Sequence, residues 1–173
     1  MLCKRGGAVG ILMALLVSGV GELLMAQDGD IWPQWRGANR DGSVVGAPWP
    51  DGLQEPSLTL QWRIELPPSY SGPVVSKDRV FVTYTRDEEF EGVSALNRKN
   101  GKEVWKTEWE GAMQVDPVGA SMGSWIRATP TFDGESLFVA GMPDLLVCLD
   151  AKQGAERWRV DFPTRYGTPL PEL

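Results

Sequence analysis

Past its first two dozen residues the chain is a series of short apolar runs divided by turn residues, and the series comes round twice. Gly72-Pro73-Val74-Val75, Val80-Phe81-Val82, Ala95-Leu96-Asn97 and Gly101-Lys102-Glu103-Val104-Trp105 form the first copy. Thr129-Pro130-Thr131-Phe132, Leu137-Phe138-Val139, Cys148-Leu149-Asp150 and Gly154-Ala155-Glu156-Arg157-Trp158 form the second. Pro73 to Pro130 and Phe81 to Phe138 are 57 apart, whereas Leu96 to Leu149, Gly101 to Gly154 and Trp105 to Trp158 are 53 apart. The first copy therefore holds four extra residues, which fall in Arg86-Asp87-Glu88-Glu89-Phe90-Glu91 and read as a solvated, charged hairpin tip. Each copy predicts four strands, near 72–76, 79–85, 92–97 and 103–109, then near 128–132, 136–141, 145–149 and 156–161. Asn100-Gly101, Gln153-Gly154 and Asp133-Gly134 supply the positive φ that tight turns need. No sustained helical period follows the amino-terminal run, so the predicted class is all-β and built from repeats.

The amino terminus carries a different pattern. Lys4 and Arg5 precede an apolar run from Ala8 to Val20, and Leu24-Met25-Ala26 ends in a small residue. That is the three-part layout of a secretory signal peptide, expected over residues 1–26. The run is shorter than the about 20 residues a bilayer span requires, so no membrane span is expected after cleavage, and the product is expected to be periplasmic or secreted. The alternative is an uncleaved anchor.

Composition narrows the chemistry. The chain has 173 residues, no histidine, two cysteines, 20 glycines, 13 prolines and eight tryptophans, with a formal charge of −6. Without histidine there is no Ser-His-Asp or Cys-His pair and no imidazole metal site. Two cysteines cannot build a thiolate zinc centre, and after cleavage only Cys148 remains, inside an apolar run where a buried thiol is expected. The acidic balance argues against a nucleic-acid partner.

Ala95-Leu96-Asn97-Arg98-Lys99-Asn100-Gly101-Lys102-Glu103-Val104-Trp105 resembles the tryptophan-docking motif of the pyrroloquinoline quinone (PQQ) repeat, and Leu149-Asp150-Ala151-Lys152-Gln153-Gly154-Ala155-Glu156-Arg157-Trp158 resembles a second copy. Both depart from the family pattern: Asn97 stands for Asp, Asn100 and Gln153 for Thr, and Ala155 for Lys. Trp32-Pro33-Gln34-Trp35-Arg36-Gly37-Ala38-Asn39-Arg40-Asp41-Gly42 is similar to the amino-terminal stretch of exported PQQ-like propeller proteins. The resemblance implies a partial β-propeller: two four-stranded antiparallel blades, near 72–110 and 128–162 within 57–173, behind a Trp/Pro/Gly-rich lead segment at 27–56. One outer strand of a third blade is expected around Trp62. Propellers typically close with about 4–8 blades, so the chain reads as the first part of a longer protein, or as a unit completed by other chains.

Gly101 with Trp105, Gly154 with Trp158, and Trp62 are the expected structural docking residues, each indole sealing one blade on the next. Trp125 and Arg127 precede an inner strand, where Trp125 is expected to cover a blade edge and Arg127 to pair with a neighbouring acid. The alternative is that the two contact a ligand, by ring stacking and by pairing with an anion. No catalytic, cofactor-binding or metal-binding residue is assigned. The acidic run Asp87-Glu88-Glu89-Glu91 is read as a solvated tip rather than a cation site. Trp32, Trp35 and Trp49 are read as clamping the lead segment. Two function classes follow: a non-catalytic exported propeller that binds protein partners or its own missing blades, without a cofactor, or the first part of a quinone-dependent alcohol or sugar dehydrogenase using PQQ and calcium.

Overall fold

The computed structural model describes residues 31–44, 46, 48, 50–54, 57–113 and 123–167. The expected signal peptide and Trp49 lie outside them. The strands are β1 (Val74–Val75), β2 (Arg79–Arg86), β3 (Phe90–Asn97), β4 (Glu103–Glu110), β5 (Thr131–Phe132), β6 (Ser136–Ala140), β7 (Leu145–Asp150) and β8 (Glu156–Asp161), followed by one short helix, α1 (Phe162–Tyr166). They pair in chain order as two four-stranded antiparallel sheets, β1-β2-β3-β4 and β5-β6-β7-β8. The all-β expectation and the division into two sheets hold.

The sheets repeat each other down to their irregularities. A register shift lies between Ala95 and Leu96 opposite β4, and another between Cys148 and Leu149 opposite β8. Both place a tryptophan across from the residue before the shift: Ala95 faces Trp105 and Cys148 faces Trp158. Such bulges re-aim one side chain without ending the strand.

Period-2 alternation decides which face is buried. In the first blade Phe81, Val93, Ala95 and Trp109 turn one way; in the second, Leu137, Val139, Leu145, Val147 and Leu149 turn to meet them, and the two sets form one buried core. The opposite face of the second blade carries Phe138, Leu146, Trp158 and Val160, none of them buried.

Three features differ from the pattern-based reading. The four extra residues do not enlarge a loop. β2 and β3 have eight residues each, where β6 and β7 have five and six, so the insertion lengthens the hairpin. Val82, Tyr84 and Val93 continue the alternation, so these positions extend the ladder rather than leaving it. The segment around Trp62 runs without a ladder from 58 to 69, because an outer strand takes its hydrogen bonds from the strand inside it, and no such strand lies beside it among the described residues. The stretch after Asp161, where no helical period is read in the sequence, opens with α1. Asp161 accepts the Thr164 N–H at 2.8 Å, Pro163 stands in the first turn, and Gly167 closes the helix at φ 64°. Among the described residues no helix is long and apolar enough to cross a membrane.

Candidate functional site

The seam between the blades is built by turn glycines and indoles. Asn97 and Asp150 begin equivalent turns: Gly101 N–H donates to Asn97 O at 2.8 Å, and Gly154 N–H to Asp150 O at 2.7 Å. The side chains help in the same way. Asn97 Oδ1 accepts the Lys99 N–H and Asp150 Oδ1 the Lys152 N–H, each at 2.9 Å. This explains why asparagine serves where the family pattern has aspartate, since the turn needs only the shared carbonyl-type oxygen. The second carboxylate oxygen of Asp150 binds Arg157 at 2.8 Å. The position equivalent to Arg157 is Val104, so Asn97 lacks that arginine, and Arg79 opposite it on β2 is bound to Asp78.

Those turns are where indoles lie. Gly101 and Gly154 have φ 69° and 74°, and a Cβ added to either would sit 2.6 Å from Trp62 Cε3 or 2.5 Å from Trp105 Cε3 respectively. Only a residue without a Cβ admits the ring at that distance. Trp62 Nε1 donates to Arg98 O at 2.8 Å, and Trp105 Nε1 to Ala151 O at 3.1 Å. Thr107 adds a bond to Gly154 O at 2.6 Å. Trp158 holds the matching position on the second blade, yet it is 43% exposed, with Phe138 at 6.0 Å between ring centroids as its aromatic neighbour.

Trp125 and Arg127 come together around Tyr70. The Trp125 ring lies 5.0 Å from that of Tyr70, and the Arg127 guanidinium stands 5.1 Å from the same ring on a cation–π contact. Arg127 also donates to Gly123 O at 3.2 Å. Backbone bonds hold the group in place: Ile126 N–H donates to buried Thr85 Oγ1 at 2.8 Å, and Tyr70 N–H to Ile126 O at 3.0 Å. Arg127 and Tyr70 are exposed and Trp125 is half-buried.

The lead segment straps both sheets. Trp32 and Val75 exchange two backbone bonds of 2.8 Å, and Pro33 O accepts the Phe132 N–H at 2.8 Å, so adjacent residues reach the first strand of each blade. Trp35 is left 63% exposed, with the Arg36 guanidinium 5.4 Å from its ring.

The acidic run does not behave as one unit. Asp87, Glu88 and Glu89 are exposed in the turn between β2 and β3, whereas Glu91 has no accessible surface. Glu91 shares parity with Val93 and Ala95 and therefore points into the inter-blade core. That parity was visible in the sequence, although the charge of the run masked it. No three acidic or thiol side chains gather as metal ligands among the described residues, and Glu91 faces away from the exposed carboxylates.

A family profile described as outer membrane protein assembly factor BamB matches residues 51–121 and again 89–172. Polyvinylalcohol dehydrogenase from Sphingopyxis sp. (strain 113P3) is 31% identical over 129 residues, which is 74% of this chain and 18% of that protein. The chain thus spans under a fifth of that relative's length. Among solved structures, BamB from Moraxella catarrhalis is 21% identical, covering 57% of this chain and 27% of its own, with a TM-score of 0.45. The quinohemoprotein alcohol dehydrogenase ADHIIG from Pseudomonas putida is 21% identical over 60% of this chain and 15% of its own, with a TM-score of 0.42. With two overlapping profile matches on two equivalent sheets, the chain belongs to the PQQ-like β-propeller family.

Proposed function

We propose that the protein works in an exported PQQ-like propeller as a surface for binding or assembling other polypeptides, with no cofactor of its own. The observation that carries this reading is the unequal use of matched faces. Trp62 and Trp105 are committed to the turns at Gly101 and Gly154, while Phe138, Leu146, Trp158 and Val160 leave an apolar face uncovered among the described residues. An open apolar face of that kind suits another β element or a protein partner. The family profile's description as an outer membrane protein assembly factor supports the same direction. The Tyr70, Trp125 and Arg127 cluster offers a second contact point, where an aromatic face and a guanidinium would suit an anionic group.

A photo-crosslinking residue in place of Val160, introduced in cells, tests the proposal. Adducts with another polypeptide, reduced by Leu146→Lys, are expected; adducts confined to the chain's own segments would overturn it.

A second reading is favoured by the 31% identity to a dehydrogenase: the chain is the opening portion of a quinone-dependent enzyme, and PQQ with calcium would supply the redox chemistry. Titrating the purified chain with PQQ and calcium separates the two readings. The quinone absorption stays unchanged under the first reading and shifts saturably under the second.

A further inference from the structure

Glu91 is held in the seam by both blades. Its Oε1 accepts the Met142 N–H of the second blade at 2.9 Å. Its Oε2, like the Trp109 indole Nε1, is buried without a hydrogen-bond partner among the described residues. Both atoms converge on Gly111, where an added Cβ would lie 3.4 Å from Oε2 and 3.3 Å from Nε1. On the other side, a Cβ at Gly141 would overlap Oε2 outright. A glycine from each blade therefore leaves the room this carboxyl occupies.

The lengthened β2–β3 hairpin produces this arrangement. It reaches past the shorter β6–β7 hairpin and brings Glu91 against the Gly141-Met142 turn. Across the sheet Glu91 faces Thr85 on β2 and Trp109 on β4. The charged residues nearby are turned elsewhere: Glu89, Glu110 and Asp144 are exposed, and Arg86 binds Glu108 at 2.7 Å. What acts on the carboxyl is burial first, which raises its pKa to about 7, then the Met142 N–H, which lowers it, and the Trp109 indole N–H, which lowers it from close by but outside hydrogen-bond geometry. Buried in apolar surroundings with no cation, a carboxylate favours its neutral form.

We propose that Glu91 is a proton-operated joint between the two blades: neutral, it remains in the seam beside Met142, and ionised, it draws towards water and loosens one blade from the other. This inference stands apart from the proposed function and concerns only the two blades in hand.

The direction of the pH dependence follows from linkage. The folded chain keeps the proton up to about pH 7, while an unfolded glutamate releases it near 4.5. Stability from this site is complete below the unfolded value, falls as pH rises towards 7, and is flat beyond. The chain has no histidine, so no other side-chain type ordinarily changes charge between pH 5 and 7.

The test is urea unfolding of the full chain between pH 5 and 8 beside Glu91→Gln, whose amide is a permanently neutral stand-in. The wild-type folding constant should drop about fifty- to a hundredfold across that range, while the variant stays flat and exceeds wild type at pH 8. In the wild type, the Trp109 indole N–H resonance should titrate near neutrality, and Met142 amide exchange, corrected for intrinsic rates, should speed up with pH more than that of Val147. An equal slope in wild type and variant would overturn the joint. Should the variant fail to fold, the wild-type readouts decide: a Trp109 resonance that does not move between pH 5 and 8, or Met142 exchange that tracks Val147, overturns it equally.

Discussion

The two blades turn equivalent faces in the same direction, and only one of those faces is closed. Trp105 lies on Gly154 with its Nε1 bonded to Ala151 O. Trp158 occupies the same strand position after the same bulge, and remains 43% exposed. Nothing local separates them; the difference is whether a turn glycine of a following sheet lies across the ring. The burial of an indole in this fold belongs to a pair of blades, as expected where each repeat is stabilised by its nearest neighbour. An isolated blade of this sequence would keep its strands paired but would bury little on either face.

The sharpest way to break that comparison is to truncate both indoles. Trp105→Ala removes a packed ring and its hydrogen bond and should cost about 3 kcal/mol. Trp158→Ala removes a ring that seals nothing among the described residues and should cost less than about 1 kcal/mol. Urea unfolding of the two variants in parallel measures the difference. Equal costs would mean that the seam does not distinguish the blades.

Removing room instead of the ring gives a smaller effect. Gly154 and Gly134 both have positive φ, 74° and 109°, so alanine strains the backbone at either. At Gly154 the added Cβ would meet Trp105, whereas nothing lies within 4 Å of it at Gly134. Gly154→Ala should therefore cost about 2 kcal/mol or more, and Gly134→Ala about 1 kcal/mol. Thermal midpoints compare them, and Trp105 fluorescence should move only in the first. Loss of the gap in a Trp105→Ala background would assign the excess to the ring.

How far the fold was legible follows from the same physics. Alternation and turn chemistry are local, so Val80-Phe81-Val82, Asn100-Gly101 and their counterparts could be read directly as strands and turns. What lies across a seam is not local. Nothing in Gly-Ala-Glu-Arg-Trp says that its tryptophan faces open space while that of Gly-Lys-Glu-Val-Trp meets a glycine 49 residues further along. Glu91 was hidden for a related reason: its three acidic neighbours suggested water, and only its parity with Val93 and Ala95 told otherwise. The turn chemistry of the five-residue α1, from Asp161, Pro163 and Gly167, was present as well, but in a span too short for a helical period to register. Trp125 and Arg127 were singled out for position in the chain, and their common partner Tyr70, more than fifty residues upstream, carried no signal of its own.

The finest difference between the blades is also the easiest to transplant. Asp150 binds Arg157, and that guanidinium, followed by the Gln153 and Lys152 N–H groups, holds its carboxyl below the usual range. The first blade has Asn97 and Val104 at the same two places and forms the same turn without the ion pair. Asn97→Asp alone should bring a carboxylate without the β4 arginine, facing only Arg79, which already binds Asp78, and Val104→Arg alone a cation without its carboxylate, so neither should raise the unfolding midpoint as far as the pair. The double variant should recover a small coupling that the singles lack, and a double-mutant cycle at low salt isolates it. Because both groups stand at the surface, the coupling should fade in 1 M salt, where screening shortens the reach of charges to about 3 Å. The pair in the second blade should also weaken as pH falls through the depressed Asp150 value, since a lowered carboxylate contributes only while ionised. A coupling that survives high salt would mean that the arginine acts through packing of its stem over the sheet, and the turn oxygen shared by Asn97 and Asp150 would then be the whole of what the turn requires.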